Sequence, residues 1–281
     1  MITSGIKFGR SHDFYLLGNM VSSNISKNLP AQTVGRAVQL LKIIASSQAK
    51  SLRLVDISAM AGLEKSTAHR LLQRLEGERL ITRAHNRGYQ LGPLLYELGL
   101  AALPESNLKV IAQPALQELA QKTGDMVFLV IRSGFESVCL SRIAGHYPIQ
   151  TMTRTEGDRH PLGMGAGGLS ILAAMNDDDI DTTIEIIQPR LGAYQLTAAK
   201  LREAITNTRA RNGVAIDKGT AAHDVCGIGY PIYKNRKIPV AAVFIATIQH
   251  RMMPDRQHKV IEKLLACTHR IESALKMHTS K

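Results

Sequence analysis

The chain has 281 residues, of which 44% are hydrophobic and 21% charged, a balance typical of a globular protein with one large or two ordinary domains. No apolar run approaches the roughly 18 residues that a membrane helix needs, which excludes a membrane-spanning protein as a class. The formal net charge of +12 favours a polyanionic partner, and half of it lies in residues 31–90, which hold ten basic and four acidic side chains. This concentration is expected of a block that contacts DNA phosphates.

The cysteines indicate the compartment. Cys139, Cys226 and Cys267 form no CxxC pair, and their number is odd, which argues against a disulfide framework or a zinc ribbon and fits a reducing compartment. Residues 1–20 lack a continuous apolar segment with a clear cleavage site, so no secretory signal is expected. The sequence therefore predicts a cytoplasmic protein without a metal, cofactor or membrane partner.

The N-terminal third is predicted to form an arm followed by three helices. Residues 1–30 show no clear period and are interpreted as an arm, and Thr33 is suited to cap a helix over 34–45. A second helix is predicted to begin at Asp56 and a third to span 65–79, each with apolar residues at helical spacing.

A short hairpin and a connecting helix follow. Strands are predicted over 80–83 and 89–91, joined by a polar turn. Three helices followed by a basic hairpin describe a winged helix-turn-helix, which is assigned to residues 31–91. Residues 92–104 are predicted to form a linker helix that a proline stops.

Residues 105–281 are predicted to form an α+β domain with a mostly antiparallel sheet. A glycine-rich loop over 163–168 opens an apolar helix that ends near Met175. The other predicted helices span 107–123, 177–188, 197–212 and 255–277. The predicted strands span 126–132, 135–143, 148–153, 213–217, 226–233 and 239–248.

Segment 56–75 carries the strongest functional signal. Ala61 allows two helices to cross closely, and Gly62 supplies the turn that reverses the chain. The outward face of the second helix is then able to lie in the major groove, where arginine and lysine recognise guanine. Basic residues of the wing and of the first helix are suited to phosphates or to the minor groove. The predicted DNA-contacting residues are Arg36, Lys65, Ser66, Thr67, His69, Arg70, Arg74, Arg83 and Arg87.

The order of these motifs resembles that of the IclR family of bacterial transcription regulators. The resemblance covers about residues 33–250 and includes GRAVQLLKII, GLEKSTAHRLLQRL, GYQLGPLLYELG, PALQELAQKTGDMVFL, RHPLGMGAGGLSILAA, RNGVAID and YPIY. It implies a winged-helix domain, a linker helix and a GAF-like effector domain, assembled as homodimers or homotetramers. It also implies control of catabolic genes in response to small organic acids or aromatic catabolites. Because one winged helix reads few base pairs, the expected operator is an inverted repeat in double-stranded DNA.

The chain departs from the family pattern where a ligand is expected. Gly165 and Leu169 stand where the family's loop usually has threonine and lysine, and Phe244 and Ala246 stand where two serines are common. A less polar pocket favours a mid-sized organic acid, such as an aromatic one, over a very small acid. Its carboxylate is expected at the loop amides beside the positive helix end, and its apolar body toward Phe244. The predicted effector-binding residues are Met164, Gly165, Ala166, Asp217, Cys226, Gly227, Phe244 and Ala246.

Simpler interpretations of these residues stay open at this stage. Tight packing also explains the glycine loop, a strand-end turn explains Asp217, and core packing explains Cys226, Met164 and Phe244. Two other functions also stay open: a small-molecule hydrolase with a basic accessory domain, and an architectural DNA-binding protein that senses no ligand. No catalytic residue is predicted, because the only candidate thiol shares one loop-to-strand junction with its neighbouring acid and histidine.

Overall fold

The computed structural model describes residues 29–279, apart from 47–50, 86, 103–106, 152, 221 and 235–237. Apart from its last two positions, the predicted arm over 1–30 lies outside the described residues. The chain divides into two compact units, the first ending at Leu98 and the second beginning at Gly99. The division falls within the segment predicted to be the linker helix.

The first unit is a bundle of three helices with a two-stranded hairpin. Its elements are α1 (Leu29–Ser46), α2 (Leu54–Ala61), α3 (Lys65–Gly77), β1 (Ile81–Arg83) and β2 (Tyr89–Leu91). The two strands pair antiparallel, with Thr82 opposite Gln90. Leu40, Ile57 and Leu72, one from each helix, pack with Ile81 and Tyr89 of the hairpin in one core. The predicted winged helix-turn-helix is confirmed.

Two helices of this unit begin before the residues that were predicted to cap them. Helix α1 begins at Leu29, before Thr33, and α2 begins at Leu54, before Asp56. Asp56 therefore lies in the first turn of α2, where a carboxylate is stabilised by the helix dipole. Helix α4 (Pro93–Ala102) leads from the first unit into the second.

The second unit contains helices on both faces of one sheet. Its helices are α5 (Leu108–Thr123), α6 (Gly165–Ala173), α7 (Asp177–Leu191), α8 (Ala198–Ala210) and α9 (Pro254–Thr279). Its strands are β3 (Met126–Ser133), β4 (Glu136–Ile143), β5 (Arg159–Pro161), β6 (Ala215–Lys218), β7 (Val225–Lys234) and β8 (Ile238–Ile248). Within the part of the chain that the structure describes, no helix is both long and apolar enough to cross a membrane.

The sheet has the strand order β5-β4-β3-β8-β7-β6, and every neighbouring pair is antiparallel. This confirms the predicted α+β domain with an antiparallel sheet. Side chains of one strand alternate between the two faces, and each face has its own core. Phe128 and Phe244 pack with α6, α7 and α8 on one face, called here the α6 face. Val127 and Ile245 pack with α5 and α9 on the other, called the α9 face.

The strand predicted over 148–153 is wrong. Residues 148–151 form a loop in which the Nε2 amide of Gln150 donates to the carbonyl of Gly145 at 3.1 Å. The edge strand is β5 instead, which pairs with β4 through Ser137 opposite His160. Pro148 has no backbone N–H to donate to a neighbouring strand, which disfavours a strand at this position. Strand β5 has only three residues, so the sequence pattern did not predict it.

Candidate functional site

The outward face of α3 carries most of the residues predicted to contact DNA. Ala68, Leu72 and Leu75 point inward and are buried, so the polar side chains of the helix lie on its other side. That side presents Lys65, Ser66, Thr67, His69, Arg70 and Arg74. The basic side chains among them form no ion pair with any residue that the structure describes. The structure therefore places these six residues on the side of α3 away from the core, with Lys65, Ser66, Arg70 and Arg74 exposed and Thr67 and His69 half-buried.

The turn before α3 sets the direction of this surface. Gly62 has φ 62° and ψ 34°, and its N–H donates to the carbonyl of Ala59 at 3.2 Å. The N–H of Leu63 donates to the carbonyl of Ser58 at 3.0 Å. The predicted reversal of the chain at Gly62 is confirmed.

The other predicted contact residues differ in how freely they reach solvent. Arg87 lies exposed at the tip of the wing, with a positive φ of 61°. Arg83 is held within the unit, because its Nη2 donates to the hydroxyl of Tyr89 at 2.8 Å and its Nε lies 3.3 Å from Glu76. Arg36 lies partly buried on α1. Both arginines of the wing are thus exposed, but Arg83 is held by contacts within the unit, whereas Arg87 forms no ion pair with any described residue.

Most of the predicted effector residues lie where α6 packs on the sheet. Every residue of α6 is buried. A Cβ on Gly227 would lie 3.1 Å from the Cβ of Ala166, and a Cβ on Gly229 would lie 2.5 Å from the carbonyl oxygen of Ala166. Small residues therefore let α6 approach β7, as the packing interpretation expected. Met164 is fully buried, and the ring of Phe244 lies on the α6 face stacked on Phe128 at 4.6 Å.

Strand register shows which candidates share a face. Asp217, Gly227 and Ala246 are successive cross-strand partners on β6, β7 and β8, and Ala246 belongs to the α6-face core. Cys226 is adjacent to Gly227, so its side chain points to the α9 face, where it is buried in the other core. Placing Cys226 in the same pocket as Gly227 is corrected for this reason. Burial raises the pKa of the Cys226 thiol, as expected of a core residue.

Asp217 has an observed local role. It is 8% exposed, and its Oδ1 accepts a hydrogen bond from the N–H of Thr220 at 3.2 Å. This is the strand-end turn that the sequence left open beside ligand contact.

Arg154 is a site residue that the sequence analysis missed. It is 2% exposed, its Nη1 donates to Ser137 Oγ at 3.0 Å, and its Nη2 donates to the carbonyl of Met164 at 3.0 Å. The guanidinium lies 5.7 Å from the ring centroid of Phe244. Burial lowers the pKa of Arg154 below its ordinary value. No local pattern marks Arg154, because it lies in a loop that only the tertiary fold closes.

Two titratable groups near Arg154, His160 and Cys139, have shifted pKa values. Burial and the charges of Arg154 and Arg190 hold the pKa of His160 well below its ordinary value, so the ring is neutral at pH 7. Burial raises the pKa of the Cys139 thiol to about 11, which leaves it protonated and unreactive. Among the residues described, no three His, Cys, Asp or Glu side chains are grouped to hold a metal ion.

Two cavities, of about 370 and 340 Å³, lie elsewhere in the second unit. They are lined by Arg132, Ile238 and Pro239, and the larger also by the turn that joins α6 to α7. None of the predicted effector residues lines them. The site beside α6 is instead closely packed by the buried side chains of Met164 and Phe244. A ligand at α6 therefore requires side chains there to move.

Comparisons with known proteins identify both units. The IclR helix-turn-helix domain model matches residues 33–85, and the model for the IclR C-terminal part of bacterial transcriptional regulators matches residues 100–273. The regulator KipR of Bacillus subtilis is 27% identical over 237 residues, which are 83% of this chain and 92% of that protein. A putative IclR regulator from Silicibacter sp. TM1040 has a TM-score of 0.73 at 23% identity, covering 86% of this chain and 96% of its own.

A second solved structure carries a ligand. It is an IclR homologue from Microbacterium hydrocarbonoxydans complexed with 4-hydroxybenzoate, and it covers 87% of this chain and 99% of its own at 23% identity, with a TM-score of 0.68. The relatives are transcriptional regulators and not enzymes, which removes the hydrolase alternative. The C-terminal model alone matches more than half of the chain. The chain belongs to the IclR family of bacterial transcriptional regulators.

Proposed function

We propose that this regulator acts in the cytoplasm, reads an operator in double-stranded DNA with α3, and changes its operator affinity when a small organic acid binds beside α6. The observation that carries the proposal is the exposed cationic face of α3, in which Lys65, Arg70 and Arg74 have no ion-pair partner among the described residues. Arginine and lysine on such a face recognise guanine edges in the major groove. Arg87 at the wing tip and Arg36 on α1 add phosphate contacts.

The organic acid is supported by the chemistry around α6. Met164 occupies the N-cap of α6 without a side-chain hydrogen bond to the first turn, so the amides of Gly165 and Ala166 lack a capping acceptor from that residue. An uncapped helix N-terminus attracts a carboxylate, and Phe244 offers an apolar wall for the rest of the ligand. The Microbacterium relative bound to 4-hydroxybenzoate supports an aromatic acid as the ligand class.

The response is a shift between two arrangements of a homodimer on an inverted repeat. An effector that binds one arrangement more tightly increases its population, which changes the spacing of the two α3 helices across the dimer. Helix α4 spans the boundary between the two units along the chain and is therefore the element proposed to transmit the change. The regulated genes are catabolic genes for the acid.

Calorimetry of the full chain with benzoate and with glyoxylate tests the effector class. We expect benzoate to bind and glyoxylate to bind at least tenfold more weakly, because the wall at Phe244 and Ala246 is apolar and contributes roughly 25 cal/mol per Å² of ligand surface buried. Sodium chloride at equal ionic strength is the control. Tight binding of glyoxylate without benzoate would show that the pocket is misassigned. Binding of neither acid would overturn the proposed effector class.

Exposed apolar side chains on α4 and α1 support the dimer. No residue of α4 is buried, and Tyr96 and Leu100 lie one turn apart with more than half of each exposed. Val34 and Val38 on α1 are likewise one turn apart and exposed. Such pairs bury apolar surface against a second copy.

Light scattering should therefore give at least twice the mass of one chain, and Tyr96→Glu with Leu100→Glu should shift the protein toward monomer. Met277→Glu, a similarly exposed position on α9, serves as the control and should leave the mass unchanged. A monomer for the unchanged chain, both free and on DNA, contradicts the dimer.

A further inference from the structure

We infer that Arg154 is the cation that selects an acid over a neutral ligand at the effector site, by pairing with the ligand's carboxylate. The inference rests on the proposed function, in which a small organic acid binds beside α6.

Arg154 is buried, and no carboxylate of the described residues is its counterion. Its two hydrogen-bond acceptors, Ser137 Oγ and the carbonyl of Met164, are both uncharged. Each Nη nitrogen carries two N–H groups and donates one of these bonds, so one N–H on each is still available for another acceptor. No carboxylate of the described residues lies within ion-pair distance; Asp158 and Asp217 act on Arg154 only through longer-range attraction. An isolated buried charge is unfavourable, so this guanidinium has a positive charge for a ligand to neutralise.

Other arginines of the same domain form ion pairs that stabilise the fold. The carboxylate of the fully buried Asp125 accepts from Nε of Arg251 at 2.8 Å and from Nη2 of Arg256 at 2.7 Å. Glu136 receives Arg159 at 2.8 Å and Arg190 at 2.9 Å. Those guanidinium groups have carboxylate partners within the chain, as buried ion pairs require. Arg154 differs from them because no carboxylate of the described residues lies within ion-pair distance of it.

The position of Arg154 is the one that the effector carboxylate would need. Its Nη2 contacts the carbonyl of Met164, the N-cap residue of α6, so the guanidinium lies at the helix N-terminus. The positive end of a helix and a buried guanidinium both attract an anion, and their effects add in a site that excludes water. The guanidinium also lies 5.7 Å from the ring of Phe244, the apolar wall of the same site. A planar aromatic acid is able to contact the guanidinium with its carboxylate and the ring of Phe244 with its own ring.

Two further polar groups, one on the same sheet face and one in the same loop, have no hydrogen-bond partner among the described residues. Arg142 is the cross-strand partner of Phe128, so it lies on the same face of the sheet, and its Nη1 is buried without a hydrogen bond. Thr151, in the loop that carries Arg154, is 8% exposed, and its Oγ1 is buried without a hydrogen bond. Buried polar atoms are normally satisfied, so atoms without a partner among the described residues, on this sheet face and in this loop, are consistent with a polar ligand there.

The test measures the Tm of the full chain with benzoate and with benzamide, its neutral isostere. Saturating benzoate should raise the Tm of the unchanged protein by about 5 °C or more, and benzamide should raise it far less. Arg154→Met should abolish the benzoate shift, while its own Tm stays equal or rises by about 2–4 °C, because an unpaired buried charge is removed. Arg154→Lys, which keeps the charge but not the planar fork, should retain part of the shift.

Arg256→Met is the matched control. It removes a guanidinium whose carboxylate partner is Asp125, so it should lower the Tm and leave the benzoate shift intact. A benzoate shift that survives in Arg154→Met, or equal stabilisation by benzamide, would overturn the inference and leave the acid effector standing. A Tm that falls in Arg154→Met as it does in Arg256→Met would make Arg154 structural. If benzoate does not stabilise the unchanged protein, the proposed effector class fails, and the inference with it.

Discussion

Replacing Arg70 with alanine is expected to weaken specific operator binding by about 5- to 150-fold, equivalent to about 1–3 kcal/mol. Arg70 lies on the exposed face of α3, one turn after Lys65–Thr67, and forms no ion pair with any described residue. Its loss therefore removes a contact to DNA and not a contact that holds the fold, so the free energy of unfolding should change by less than about 0.5 kcal/mol. Fluorescence anisotropy with a selected and a scrambled fragment at fixed salt measures the effect.

Arg87→Ala is the contrasting variant, because Arg87 lies at the tip of the wing and is assigned to a phosphate. It should weaken binding to both fragments about equally and reduce the salt slope by roughly one unit. Arg211→Ala, an exposed position in the second unit, should change neither affinity. Unchanged specific affinity in Arg70→Ala, with selectivity lost in Arg87→Ala, would place the reading face on the wing instead of α3.

Gly92→Ala is expected to destabilise the DNA-binding unit by about 3 kcal/mol or more. Gly92 is buried where the wing meets α4, and its N–H donates to the carbonyl of Leu80 at 2.9 Å. A Cβ there would lie 2.2 Å from the carbonyl oxygen of Arg79 and 2.8 Å from the backbone nitrogen of Ile81. Because these atoms belong to the backbone, the added methyl forces the chain between α3 and the wing to move, and operator binding should be lost.

Hydrogen exchange with mass spectrometry locates this damage. In Gly92→Ala, amides of residues 29–98 should lose protection while those of 107–279 keep it. Gly77→Ala is the control in the same unit, because a Cβ on Gly77 meets nothing within 4 Å and alanine favours a helix by up to about 1 kcal/mol. Full protection and normal operator binding in Gly92→Ala would show that the close approach is not essential to the wing.

Most of the predicted fold came from helical periodicity, because an amphipathic helix repeats its pattern of apolar residues over several turns. The spacing of Ala68, Leu72 and Leu75 predicted both α3 and its outward face. The strands were harder, because β5 has only three residues and is defined by its pairing with β4, a long-range contact that local pattern does not contain. The loop over 148–151 was mistaken for a strand, and its conformation depends on the Gln150 side chain, which donates to the carbonyl of Gly145.

The candidate effector site was predicted only in part. The glycine loop was found because its composition marks it, and Phe244 because it stands where the family commonly has serine. The alternation of side chains along a β-strand shows that adjacent Cys226 and Gly227 point to opposite faces. Arg154 was not predictable, since its burial and its contact with Met164 arise only when its loop folds over α6.

In the proposed function, an organic acid controls operator affinity through the site beside α6. Anisotropy titration of a DNA fragment that the chain itself selects from a random pool, with and without saturating benzoate, tests it most directly. The expected result is a change in operator affinity of about 5- to 150-fold in the unchanged protein, with no change in Arg154→Met. An affinity for the selected fragment that saturating benzoate leaves unaltered in the unchanged protein would contradict this control.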